Sequence, residues 1–72
     1  MTSTALIATT TRPILFTYHG DNTNRALVTD MRWYLAGTEV EVRKLRDNGE
    51  FTARVLGTLY MQECNMNDVM VP

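Results

Sequence analysis

Four of the seven basic side chains in this chain lie between Arg43 and Arg54, on either side of an Asp47-Asn48-Gly49 corner. An arginine guanidinium can bind a carboxylate or a phosphate through two parallel hydrogen bonds, so the cluster has the chemistry of an anion-binding edge. The alternative is that these cations form the solvated rim of a β-hairpin, where ion pairs contribute little. The pattern favours a rim first, and an interface only if a charged partner covers the turn.

Catalytic, metal and cofactor chemistry has little support in the sequence. His19 and Cys64, the only histidine and the only cysteine, can in principle form a nucleophile and base pair. Cys64 stands in a segment without basic residues, however, and cations are what favour a reactive thiolate. One histidine and one cysteine also fall short of a typical zinc site, and there is no glycine-rich phosphate loop. We therefore expect no enzymatic activity, no metal and no cofactor.

Length, charge and cysteine content narrow the function classes further. A chain of 72 residues with 44% hydrophobic content forms one small domain with a small core. Its net charge of −1 gives no global positive field to attract nucleic acid. A single cysteine cannot form an internal disulfide, and no segment resembles a signal peptide or a membrane span. We expect a cytoplasmic protein that does not enter a membrane, and the oligomeric state stays open.

The first half of the chain predicts a strand, a loop and one ambiguous element. The run from Ile14 to His19 alternates between two faces, as a strand does, and residues 20–24 have the composition of a turn. Residues 25–36 fit a helix with Asn24 as N-cap and Gly37 at the C-terminal end. They also fit a strand rich in aromatic and β-branched residues. We favour the strand because the neighbouring segments are β.

The strongest structural signal is a β-hairpin within residues 37–60. Two alternating segments flank Asn48-Gly49, a pair that favours a tight hairpin turn. The predicted inner face consists of Val40, Val42, Phe51, Ala53 and Val55. The predicted outer face, where opposite charges can pair across the strands, consists of Glu39, Glu41, Arg43, Thr52 and Arg54. Gly57 is expected to form a bulge or bend in the second strand.

The two ends of the chain lack a clear pattern. Residues 1–11 are expected to form a flexible lead-in, with a weak edge strand as the alternative. Residues 12–60 are expected to form the single small β domain. Periodicity is lost after Tyr60, so residues 61–72 are expected to form a flexible tail or one that a partner orders.

The central hairpin resembles that of small SH3-like barrels, including Tudor-type domains and ribosomal or transcription-factor modules. The resemblance covers about a third of the chain and is carried by Gly37, Val40, Val42, the turn at Gly49 and the apolar alternation of residues 51–55. It implies a mainly β fold, a small curled antiparallel sheet or barrel, with room for one short helix at residues 25–36. The aromatic cage of Tudor-type domains is not carried over, because it needs several aromatics on neighbouring loops. Only Trp33, Tyr34, Phe51 and Tyr60 are available here, and Phe51 is expected in the core.

Two binding functions fit these features. In the first, the chain is a protein-binding module that uses exposed aromatic and arginine side chains, which are enriched in interface hot spots. Its candidate partner-binding residues are Arg32, Trp33, Tyr34, Arg43, Lys44 and Arg46, although Trp33 suits the core equally well. The alternative is a module that binds single-stranded nucleic acid, in which tyrosines or Trp33 stack on bases while cations follow the backbone. The net charge near zero favours the first.

The chain as a whole resembles the small host-takeover proteins of bacteriophages in its size, its arginine-over-lysine usage and its single cysteine. That resemblance implies a protein partner in the host cytoplasm, most often host RNA polymerase. It also implies inhibition or redirection of transcription by steric occlusion, without chemistry on the partner. It assigns no individual residue.

Overall fold

The fold is a single antiparallel β-sheet. The computed structural model describes residues 6–19 and 30–72. The strands are β1 (Leu6–Thr10), β2 (Ile14–Tyr18), β3 (Asp30–Tyr34), β4 (Glu39–Arg43), β5 (Glu50–Val55), β6 (Met61–Asn65) and β7 (Val69–Met70). They pair in the order β3-β2-β6-β5-β4-β1-β7. The mainly β prediction is confirmed, and the described residues contain no α-helix.

The sheet is curled but does not close into a barrel. β2 and β6 share one register pair, Thr17 with Met61, whereas β5 and β6 pair from Glu50 to Arg54. Six of the seven strands contribute side chains to one buried core, so this single sheet wraps around that core. The edge strands β3 and β7 are not paired with each other, so of the two predicted forms the curled sheet is the one observed.

The predicted hairpin is confirmed as β4 and β5. Val40 lies opposite Val55 and Val42 lies opposite Ala53, so the apolar residues of both strands share one face. At the turn, the Gly49 amide donates to the Arg46 carbonyl at 3.0 Å. Gly49 has a φ of 87°, a left-handed conformation that glycine adopts without steric cost, which explains its place in this turn.

Gly57 is not a bulge within a strand. β5 ends at Val55, and Gly57 lies in the turn that leads to β6, with a φ of 75°. The Thr58 amide donates to the Val55 carbonyl at 3.1 Å and closes this turn. The glycine therefore reverses the chain and starts a second hairpin, β5–β6, that the sequence interpretation did not include.

Residues 61–72 are not the predicted flexible tail. β6 pairs along β5, and β7 pairs with β1, so the segment belongs to the sheet. Between them a short 3₁₀ helix, Met66–Asp68, is held by a capping box in which Asn65 accepts from the Asn67 amide and Asp68 accepts from the Asn65 amide. Residues 6–10 likewise form β1, which lies between β4 and β7 and is not an edge strand.

The core lies on the inner face of the curled sheet. Its buried side chains come from β1, β2, β4, β5, β6 and β7: Ala8, Ile14, Phe16, Val40, Phe51, Ala53, Val55, Cys64 and Val69. Four of the five predicted inner residues are in this set, and Val42 is partly buried against it. The one buried polar residue of the described chain, Thr10, donates to the Leu35 carbonyl and accepts from the Thr38 amide.

The ambiguous segment is a strand where it is described. Asp30–Tyr34 forms β3, which agrees with the strand interpretation rather than the helical one. The turn predicted at residues 20–24, and the part of the ambiguous segment before Asp30, lie outside the described residues.

Candidate partner-binding surface

The three candidate residues on β3 do not form one surface. Trp33 lies opposite Leu15, whereas Arg32 lies opposite Phe16 and Tyr34 opposite Ile14. Because Phe16 and Ile14 are buried and side chains alternate along a strand, Arg32 and Tyr34 are on the inner side and Trp33 is on the outer face. Trp33 is 66% exposed, which resolves the choice between core and surface in favour of the surface.

Tyr34 belongs to the structural support of the sheet. Its ring packs edge-on against Phe16, with ring centroids 5.4 Å apart, and against Tyr60 at 5.8 Å. The guanidinium of Arg32 lies 5.8 Å from the Tyr34 ring centroid, within the range of a cation–π contact. These contacts hold β3 to β2 and to Tyr60, the residue before β6.

A hydrogen bond fixes the other end of β3. The Tyr60 hydroxyl donates to the Asp30 carboxylate. This bond lowers the pKa of Asp30 and raises the pKa of Tyr60, because it is strongest when Asp30 is charged and Tyr60 is protonated. Contacts on its inner side thus hold β3 in place, and its outer face is not needed to hold the strand.

The outer face of β3 carries a row of exposed apolar side chains. Met31 is 60% exposed, Trp33 is 66% exposed and Leu35, the residue after the strand, is 76% exposed. Alternate residues of an extended chain point to the same side, so the three form one stripe, here called the apolar row. Met31 and Leu35 were not among the predicted site residues, although the alternation of a strand is a signal that could have placed them beside Trp33.

Three predicted cations are brought together elsewhere on the sheet. Arg43, Lys44 and Arg46 line an open depression of about 420 Å³. Thr17 of β2 and His19, the residue after β2, line the same depression. The remaining lining comes from β5 and β6: Thr52, Met61, Gln62 and Glu63. We call this site the cationic depression.

The cationic depression contains a preorganised ion pair. Arg46 donates to Glu63 at 2.8 Å, and the Thr52 hydroxyl donates to the other oxygen of the same carboxylate. Both bonds favour the charged carboxylate, so they lower the pKa of Glu63, with the Thr52 bond as the larger cause. Arg46 is therefore held in a fixed direction at the wall of the depression.

The other cations of the hairpin differ in how firmly they are held. Arg54 donates to Glu41 through two nitrogens at 3.0 and 3.1 Å and to the Thr58 carbonyl, so its guanidinium has a structural role. Arg43 contacts the same carboxylate at the longer distance of 3.8 Å, so it is held less firmly. Lys44 forms no ion pair with the described residues. Arg43 and Lys44 are thus the cations that can bind a ligand most readily.

Lys44 also has an unusual backbone. Its φ is 53°, the one left-handed conformation among the described non-glycine residues. An L-residue pays a steric penalty there, and such positions recur at functional sites when the surrounding structure enforces them. No feature of the sequence predicts this conformation at a lysine.

The histidine and cysteine do not form a catalytic pair. Cys64 is buried in the core, whereas His19 lines the depression on the outer side. Burial raises the pKa of the Cys64 thiol to about 11, which disfavours a nucleophilic thiolate. Among residues 6–19 and 30–72, no group of three or more His, Cys, Asp or Glu side chains is placed to hold a metal ion.

Comparisons with known proteins give no functional guide. No family model matches the chain, and no curated protein or solved structure is significantly similar to it. In the described part of the chain, no helix has the length and apolar character needed to cross a membrane.

Proposed function

We propose that this protein is a small, non-enzymatic protein-binding domain. The observation that carries the proposal is the apolar row, in which three large side chains on and just after an edge strand are more than half exposed. Large apolar side chains that share one surface mark interaction sites in soluble proteins, and tryptophan is among the residue types enriched in binding hot spots. Each such side chain contributes about 1.5–3 kcal/mol when a partner buries it fully.

The position of the row on β3 suits this function. An edge strand leaves one side of its backbone unpaired with the described strands, and such edges bind extended segments of partner proteins by strand addition. The inner side of β3 is fixed by Tyr34 and by the bond between Tyr60 and Asp30. A rigid strand loses little conformational entropy on binding, which favours affinity.

Binding of single-stranded nucleic acid is the alternative, and fewer observations favour it. Stacking needs exposed aromatic faces, but Tyr34 and Tyr60 pack against each other and Tyr18 packs against Tyr60 with centroids 5.6 Å apart. The hairpin cations Arg43, Lys44, Arg46 and Arg54 would have to follow the nucleic-acid backbone, but Arg54 and Arg46 are held by Glu41 and Glu63. The cationic depression is what favours this alternative.

The narrower proposal is that the partner is bacterial RNA polymerase and that the domain regulates transcription by occluding a surface that a host factor needs. Its support is the resemblance in size and composition to phage host-takeover proteins. Steric occlusion requires only that the domain binds its partner, and an exposed edge strand can supply that binding.

The test is binding to purified bacterial RNA polymerase together with transcription from a standard promoter. The expected result is a complex and a reduced or redirected transcript, both lost in Trp33→Ala. Leu59→Ala is the matched control, because Leu59 is a similarly exposed apolar residue, 53% exposed, in the turn before β6. Failure to bind the polymerase would remove the narrower proposal. Capture of other proteins that is equally strong for Trp33→Ala would remove the broader one.

A further inference from the structure

The charge of the cationic depression is opposite to that of the chain. Its lining contains three cations, Arg43, Lys44 and Arg46, and one carboxylate, Glu63, whereas the whole protein has a net charge of −1. A concave surface of one sign concentrates counter-charged groups of a ligand. The local surplus is therefore a feature of this site and not of the protein's overall composition.

One of the three cations in the depression is already bonded within the protein, whereas the other two can still bind a ligand. Glu63 is already engaged by Arg46 and Thr52, so its charge is compensated inside the site. Arg43 has a 3.8 Å contact with Glu41, and Lys44 has no ion pair with the described residues. These two cations retain donors for an incoming carboxylate, while Arg46 is held at the wall beside them.

The conformation of Lys44 supports a role in binding. A glycine would adopt its φ of 53° at no steric cost, yet this strained position in the wall of the depression carries a charged side chain. Strain kept at a site that faces a ligand is a recurrent feature of binding surfaces.

The depression adjoins the apolar row. Thr17, which lines the depression, lies directly opposite Met31, the first residue of the row. Residues directly opposite on paired strands share a face, so a ligand seated between the cations can continue across Met31 onto Trp33.

We propose that the occupant of this continuous surface is an acidic protein segment with apolar side chains interspersed among its carboxylates. This inference rests on the proposed protein-binding function and names the chemistry of the partner. The carboxylates bind Arg43 and Lys44, and the apolar side chains pack on the row. A nucleic acid is less suited to it, because Trp33 is the one aromatic among the large apolar side chains exposed in the described chain, and a strand needs successive stacking rings.

The test is an amide-shift titration of the full chain by NMR with three probes: hexaglutamate, a hexapeptide of alternating glutamate and leucine, and single-stranded oligothymidylate. Hexaglutamate is expected to shift the amides around Thr17, Thr52 and Arg43, with an affinity that falls as salt increases. The alternating peptide is expected to bind more tightly and to shift the amides of Met31 and Trp33 as well.

Variants distinguish the two halves of the surface. Lys44→Gly removes the charge and fits the backbone, so it is expected to weaken both peptides about tenfold, the loss of one charged hydrogen bond. Arg12→Gln is the charge-matched control, because Arg12 pairs with Asp68 away from the depression and its loss is expected to leave both affinities unchanged. Trp33→Ala is expected to reduce the alternating peptide to the affinity of hexaglutamate.

Three outcomes would overturn the inference: no shift with either peptide, equal weakening by Arg12→Gln and Lys44→Gly, or tighter binding of the oligothymidylate at the same amides. If the peptides fail while binding of a protein partner still depends on Trp33, the acidic segment is wrong and the proposed function stands. If the peptides bind but no partner depends on Trp33, the broader proposal fails instead.

Discussion

Thr17 on β2 and Met31 on β3 lie directly opposite each other, and this pair joins the cationic depression to the apolar row. Without it, the exposed tryptophan and the hairpin cations would be two separate features. Because the pair places both on one face, charge and apolar area are available to the same partner.

Truncation of Trp33 and of Phe51 is expected to change the free energy of unfolding by very different amounts. Trp33→Ala removes an exposed ring and is expected to change the free energy of unfolding by less than about 0.5 kcal/mol. Phe51→Ala empties a fully buried position and is expected to cost about 3–5 kcal/mol, as much as a domain of this size has available. Urea unfolding followed by circular dichroism measures both. A large loss in Trp33→Ala would show that the ring supports the fold.

Lys44→Gly is expected to stabilise the protein by about 0.5–1 kcal/mol. The change relieves the steric cost of a left-handed L-residue, and the larger entropy of glycine in the unfolded chain offsets part of the gain. Lys44→Ala, which removes the charge but keeps the steric cost, is the control and is expected to give no such gain. Equal midpoints of urea unfolding for the two variants would show that the conformation is not strained.

Acid is expected to destabilise the protein through carboxylates whose pKa is lowered in the fold. For Asp68 the main cause is the hydrogen bond from the Asn65 amide, followed by Arg12. A carboxyl with a lowered folded pKa binds protons more readily when unfolded, so its stabilisation is present above the ordinary pKa of about 4 and is lost as the pH falls through the folded value.

The variant Asp68→Asn tests this pH dependence. Its free energy of unfolding is expected to fall less steeply with acid than that of the wild type. Asp47→Asn, in the exposed hairpin turn, is the control. Parallel pH profiles for Asp68→Asn and the wild type would contradict the assignment.

Cys64 is expected to be unreactive in the folded protein. Burial raises the pKa of its thiol to about 11 and shields it, so near pH 8 a thiol reagent is expected to react much more slowly than in denaturant. The rate of modification measures this directly. A native rate close to that of the denatured chain would place Cys64 outside the core.

The sequence predicted the central hairpin well because two signals agreed there. Alternation set the faces of Val40 and Phe51, and Asn48-Gly49 set the turn. The second hairpin was missed because Gly57 was interpreted as a bulge or bend within one strand, although a left-handed glycine serves a turn between two strands equally well. Strand β6 has one core side chain, Cys64, among polar neighbours, so its alternation is too weak to recognise.

The site was predicted only in part, because the predicted residues on β3 were consecutive. Consecutive residues of a strand face opposite sides, so Arg32, Trp33 and Tyr34 cannot share a surface, whereas Met31, Trp33 and Leu35 can. Arg43, Lys44 and Arg46 do meet in one depression, close to each other in the sequence. Their proximity to β2 depends on the curl of the sheet, a long-range property that local patterns do not encode.

Hydrogen–deuterium exchange of the protein alone and in complex with the partner it captures tests most directly whether the apolar row and the cationic depression form the binding surface. We expect the partner to slow exchange on β3 around Met31 and Trp33 and around Arg43 and Lys44, and to leave exchange at the opposite edge, β7, unchanged. Protection confined to β7, or none on β3, would contradict binding through the apolar row.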